Sequence, residues 1–130
     1  MLRLSCFISI LLLSAPAFSD TSIYGTYKLP VEDGLNSTLT VEKAGEDSVF
    51  IEMDCQDGPP NYNSGLVEKT MLKLNGNSVR YHNVRFEGAR ACTIDIEFNK
   101  KGALVTQVSG YGSVCGFGMK VMCDGQFNKQ

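Results

Sequence analysis

The sequence predicts an all-β fold: a single-domain antiparallel barrel or sandwich of about eight short strands, stapled by disulfides. Three observations predict it. Apolar residues recur with period two along most of the chain, as expected for strands with one buried face. Glycine-containing turn signals interrupt that alternation at short intervals. Four cysteines follow an N-terminal segment that reads as an export signal, so they are expected to meet an oxidising compartment where disulfides persist.

The N-terminal segment comes first. Met1, Leu2 and Arg3 make a short positive start, Leu4 to Ser14 is apolar apart from serines, and Ala15–Ser19 supplies the small residues a signal peptidase reads. Cleavage is expected after Ser19, with Ala17 as the alternative. Residues 1–19 are then a bacterial-type signal peptide, and residues 20–130 form one all-β domain in the periplasm or outside the cell. The apolar stretch is about half of the ~20 residues a membrane span requires, so no span is expected. Cys6 precedes the apolar stretch, which places it on the removed segment rather than at a lipid-attachment site.

The remaining 111 residues carry 11 basic and 14 acidic side chains, a net charge of −3. Clustered Lys and Arg, which nucleic acids and anionic membranes demand, are not apparent in that balance. A mildly acidic surface suits a basic protein partner instead.

Strands are expected near 22–29, 37–44, 48–55, 66–74, 78–87, 92–98, 103–109, 118–123 and 125–129. The cleanest alternation puts Cys92, Ile94, Ile96 and Phe98 on one face and Thr93, Asp95 and Glu97 on the other. Val49, Ile51, Met53 and Cys55 share a face in the same way, as do Met119, Val121 and Cys123. Three of the four cysteines are therefore expected to point inward. Asp33-Gly34, Asn75-Gly76, Lys101-Gly102 and Asp124-Gly125 are hairpin-type signals, because glycine takes positive φ without a steric penalty. Gly25-Thr26-Tyr27-Lys28 and Gly125-Gln126-Phe127-Asn128-Lys129 echo each other. They are either two strands with similar edge requirements or two strands side by side that close the sheet, and closure is preferred.

Two segments fit no strand. Residues 56–65 (QDGPPNYNSG) hold a proline pair among turn-forming residues. Residues 110–118 (GYGSVCGFG) hold four glycines and a cysteine, which describes a pinned crossover or a rigid recognition loop.

Catalytic groupings are scarce. His82 is the only histidine, and it lies out of phase with Val79 and Tyr81, facing solvent. Cysteine spacings of 37, 23 and 8 resemble no zinc site, and oxidised cysteines leave no thiolate nucleophile. Asp54, Asp57, Asn61 and Asn63 follow no calcium-loop spacing, and Asp95 with Glu97 forms no acid–base couple. The chain is read as a non-enzyme without a metal or other cofactor. Arg80, Arg85 and Arg90 are a solvated face, or, as the lesser reading, a group that reaches an acidic cleft on a partner. Four cysteines allow three pairings.

The C-terminal third resembles a group of small exported proteobacterial β-proteins. The resemblance rests on Cys92-Thr-Ile-Asp-Ile-Glu-Phe98, Val105-Thr-Gln107, Cys115-Gly-Phe-Gly118 and Asp124-Gly-Gln-Phe127, with support from Gly25-Thr-Tyr27. That group shares a C-x-L-x-I-x-F strand, a CGFG turn and a closing DGxY segment, and some members resemble periplasmic lysozyme inhibitors. Phe127 stands where the group has Tyr, and cysteines 55 and 123 are additional. If Cys92 and Cys115 are the pair shared with the group, Cys55 bonds Cys123; the rival joins Cys115 to Cys123 across a short hairpin. The resemblance implies a periplasmic inhibitor or immunity protein against a lysozyme-like peptidoglycan hydrolase. Its plugs would be Asn61, Tyr62 and Asn63 in one loop and Tyr111 and Ser113 in the other. The alternatives are an envelope interaction module and a carrier holding a small apolar ligand in a barrel interior.

Overall fold

The computed structural model describes residues 22–110 and 112–130; the signal-peptide reading and Tyr111 lie outside the described residues. Eight strands follow one another: β1 (Gly25–Pro30), β2 (Asn36–Lys43), β3 (Ser48–Gln56), β4 (Ser64–Lys73), β5 (Ser78–Asn83), β6 (Cys92–Asn99), β7 (Gly102–Ser109) and β8 (Gly125–Lys129). They form one antiparallel sheet in the order β4-β3-β2-β1-β8-β7-β6-β5, curled into a nearly closed barrel. The choice between barrel and sandwich thus resolves to a barrel. The echoing end strands do lie side by side, with Tyr27 opposite Lys129 and Lys28 opposite Asn128.

Alternation decides what is inside. Leu39 and Val41 of β2, Val49, Ile51 and Met53 of β3, and Ile94 and Ile96 of β6 are fully buried. Burying one such side chain stabilises the fold by about 1.5–3 kcal/mol. Tyr27 and Phe127 meet this core from the central pair of strands, and Tyr27 stacks at a tilt on Phe98, with ring centroids 6.1 Å apart. The Tyr27 hydroxyl donates to the Ile23 carbonyl at 2.6 Å, and burial raises its pKa above the ordinary phenol value. The barrel interior is filled by side chains.

The disulfides join Cys55 to Cys123 and Cys92 to Cys115, the pairing the resemblance implies. Cysteines 55, 92 and 123 are buried, as their phase predicts, and Cys115 is half-buried.

Three expectations are corrected. Residues 118–123 are not a strand. Val121 and Cys123 keep the inward phase, but Lys120 takes a left-handed φ of 65° and Met119 turns outward, 72% exposed. The Cys123 and Cys115 bridges and the Gly118–Ser64 contact hold this stretch across the barrel's end, where it enters no ladder. The strand expected over 78–87 stops at Asn83, and Val84 to Ala91 is a loop. Asp124-Gly125 likewise makes no hairpin. Gly125 starts β8 at φ 145°, and the Asp124 carboxylate accepts the Gln107 backbone N–H.

Connection length distinguishes the two ends of the barrel. At one end the links are 44–47, 74–77 and 100–101; at the other they are 31–35, 57–63, 84–91 and 110–124. Both disulfides lie toward the end with the longer links.

Candidate functional site

The two loops singled out from the sequence meet at the loop-rich end. Asn63 Nδ2 donates to the Met119 carbonyl at 3.0 Å, and the Gly118 N–H donates to the Ser64 carbonyl at 3.0 Å. The contact depends on two missing side chains. A Cβ on Gly65 would lie 2.4 Å from the Phe117 ring, and one on Gly118 would lie 2.7 Å from Asn63 Cβ. Phe117 is buried there as the plug beneath the loops.

The 57–63 loop is closed on itself by bonds from the Asp57 N–H to the Asn63 carbonyl (2.9 Å) and from the Tyr62 N–H to the Gly58 carbonyl (3.1 Å). Tyr62 adopts φ 49°, a conformation that bulky residues rarely hold unless their surroundings impose it. Its hydroxyl donates to the Asp33 carboxylate, and that bond raises the phenol pKa above the ordinary value. Asn61 and Tyr62 are exposed and Asn63 is half-buried. Acidic side chains border the loop: Glu32 packs against Gly58, Asp33 holds Tyr62, and Asp57 lies at the loop's neck.

The 110–124 connection works as a strap. It leaves β7, makes a 3-10 turn at Gly112–Cys115, crosses to β4 at Gly118, and returns through Cys123 to β8. Ser113 is exposed, and its carbonyl accepts from Arg85 Nη1 at 3.1 Å. Gln107, given no role in the sequence reading beyond the motif it sits in, holds this strap. It is 3% exposed; its side-chain amide donates to the Gly110 carbonyl and the Cys115 sulfur (both 3.3 Å) and accepts from the Cys123 N–H (3.2 Å). A buried polar residue on an otherwise apolar strand face is the signal that would have found it.

The arginines do not form one group. Arg80 makes a two-pronged bond to Asp95 on the outer face, at 2.7 and 2.8 Å, which holds the Asp95 carboxyl below the usual carboxylate range. Arg85 faces the opening between β4 and β5, and Arg90 lines a separate hollow with Val108 and Val114. The three therefore do not present one joint group to an acidic cleft on a partner. His82 is exposed, with Nδ1 3.0 Å from the Thr93 hydroxyl. Among the described residues no three His, Cys, Asp or Glu side chains are grouped to hold a metal ion, and no helix is long and apolar enough to cross a membrane.

What the arrangement offers chemically is recognition: a rigid, cross-linked face with exposed Asn61, Tyr62, Ser113 and Met119 beside acidic groups. Comparison with family models, curated proteins and solved structures gives no match to this chain.

Proposed function

We propose that the protein is an exported, periplasmic binding protein that inhibits or neutralises a lysozyme-like peptidoglycan hydrolase. The observation that carries this reading is the joining of the 57–63 loop to the 110–124 strap, in a face that two disulfides hold rigid. A preorganised loop loses little entropy on docking. Exposed polar groups at its tip suit a cleft whose floor is a pair of catalytic carboxylates. Glu32, Asp33 and Asp57 around the tip would steer a basic enzyme toward it. The sequence resemblance points the same way. The reading assigns no catalysis and no cofactor to the chain.

The test uses oxidised residues 20–130 as bait for periplasmic extract and as an additive in assays of a lysozyme panel. A hydrolase that binds and loses activity, and recovers it when Asn61→Ala and Tyr62→Ala are combined, is the expected result. Failure to bind or slow any hydrolase, including those of its own genome, would end this reading. The carrier reading has little support beside a filled interior. The interaction-module reading gains support from the free strand edges between β4 and β5.

A further inference from the structure

We infer that the opening between β4 and β5 captures the C-terminal segment of another polypeptide. The segment adds to β4 as an antiparallel strand and sets its terminal carboxylate on Arg85. This goes beyond the inhibitor reading and does not depend on it.

Among the described residues β4 and β5 share no ladder; the one bridge at their junction pairs Asn75, in the turn beyond β4, with Ser78 at the start of β5. Backbone directions along both edges follow from the hydrogen bonds at their ends. The Ser64 carbonyl reaches Gly118 on the side away from β3, so by alternation Leu66 also turns its N–H and C=O to the open side. Ser78 and Asn75 exchange both backbone bonds, so Arg80 and His82 turn theirs to the opening from the β5 bank. Unpaired edges of this kind are templates for an incoming strand. Between them lies a groove of about 490 Å³ lined by Leu66, Glu68, Thr70, Tyr81, His82 and Arg85.

Arg85 supplies the chemistry. The ion pairs among the described residues are Lys69–Glu42, Lys73–Asp47 and Arg80–Asp95, which leaves Arg85 without a carboxylate. Its guanidinium is nonetheless held in place. Nη1 bonds the Ser113 carbonyl, and the group lies against Gly116, where a Cβ would come within 3.4 Å of Cζ. A fixed guanidinium with free donors is suited to a carboxylate in a forked bond.

Direction and terminus follow from the strap. It crosses the opening at the loop-rich end, bonded to Ser64 on one side and to Arg85 on the other. A chain laid antiparallel to β4 runs toward that end and meets the strap beside Arg85, so it has to stop there. A chain end places its carboxylate where the guanidinium waits.

The probe is a fluorescein-labelled random pentapeptide library with free C-terminal carboxylates, compared by anisotropy with the same library amidated, on oxidised residues 20–130. The free-acid library is expected to bind about tenfold tighter or more, the gain typical of a charge-assisted bond. Arg85→Gln should erase that difference, Arg85→Lys should restore part of it, and bound peptide should slow amide exchange at Leu66. Equal binding of the two libraries, binding by Arg85→Gln equal to that of the natural sequence, or no binding by either library overturns the proposal. Equal binding with Leu66 protected would assign the groove to an internal segment instead. Arg85 is exposed, and far-UV circular dichroism with intact disulfides verifies that its variants fold.

Discussion

β1 and β8 come from opposite ends of the chain and are hydrogen-bonded at the centre of the sheet, whereas β4 and β5, separated by the four residues 74–77, part after a single bridge. Six of the seven pairings join strands consecutive in sequence, so β4 and β5 are the consecutive pair that closeness in sequence does not bring together. At the first junction Tyr27 and Phe127 bring two large buried side chains to the core from neighbouring strands. At the second, the register set by Asn75 and Ser78 would place Lys73 directly opposite Arg80, two like charges on one face. Each goes elsewhere, Lys73 to Asp47 and Arg80 to Asp95. The irregular register between Ile51 and Met53 adds to the divergence by turning the middle of β4.

The largest test of this contrast truncates one aromatic on each side. Phe127→Ala should cost about 3–5 kcal/mol, as expected for a fully buried Phe. Tyr81→Ala, at a half-buried position on the open side, should cost less than half as much in urea unfolding. Equal losses would mean that the opening is as tightly packed as the closed junction. Cross-links come next. Replacing both Cys55 and Cys123 by Ala opens a loop with a sequence separation of 68, against 23 for Cys92 and Cys115. The expected losses are about 4 and about 3 kcal/mol respectively. A reversed order would show that the shorter link, which pins the strap, outweighs chain entropy.

Legibility followed the same division. The burial phase of Cys92–Phe98 and Val49–Cys55 was readable because each is a ladder strand whose alternation is its own property. The pairing of the end strands left a trace in the shared Gly-aromatic-Lys pattern. Val121 and Cys123 alternate just as a strand does, yet their burial comes from a disulfide and from packing across the barrel's end, which alternation cannot distinguish. Asn75-Gly76 promised a hairpin, and the turn formed, but the charge clash beyond it required knowing the register. The junction of Asn63 with Met119 was hidden altogether, since it joins residues far apart in sequence through one side-chain amide and one carbonyl.

Smaller effects sharpen the contrast further. Lys73→Glu puts an acid opposite Arg80, so β4 and β5 should zip further from the turn. Slower amide exchange at positions 71 and 73 is the expected sign, with weaker peptide binding in the groove. Unchanged exchange would assign the parting to the bulge and strap alone.

The smallest effect concerns Asp95. Its carboxyl is depressed first by the Arg80 hydrogen bond, so the stability it contributes is present above the unfolded value of about 3.9 and lost as pH falls through the lower folded value. The side chains are 60% and 37% exposed, so water and salt screen much of this contribution. Asp95→Asn should therefore show a slightly shallower fall of the urea midpoint between pH 5 and pH 2. A steeper fall would mean that another carboxylate governs the acid limb.

The placement of β1 beside β8 also sets a clock. However the chain is delivered, from a ribosome or through a pore, Gly25–Pro30 meets its second neighbour only when residues 125–129 arrive. Cys55 waits for Cys123 in the same way. Until then both β1 and β3 are exposed to solvent and to other chains with their ladders or bridges incomplete, and the cost of closing so long a loop is met late. The barrel thus waits on residues 125–129: a chain stopped before them lacks β8, and with it the pair at the centre of the sheet.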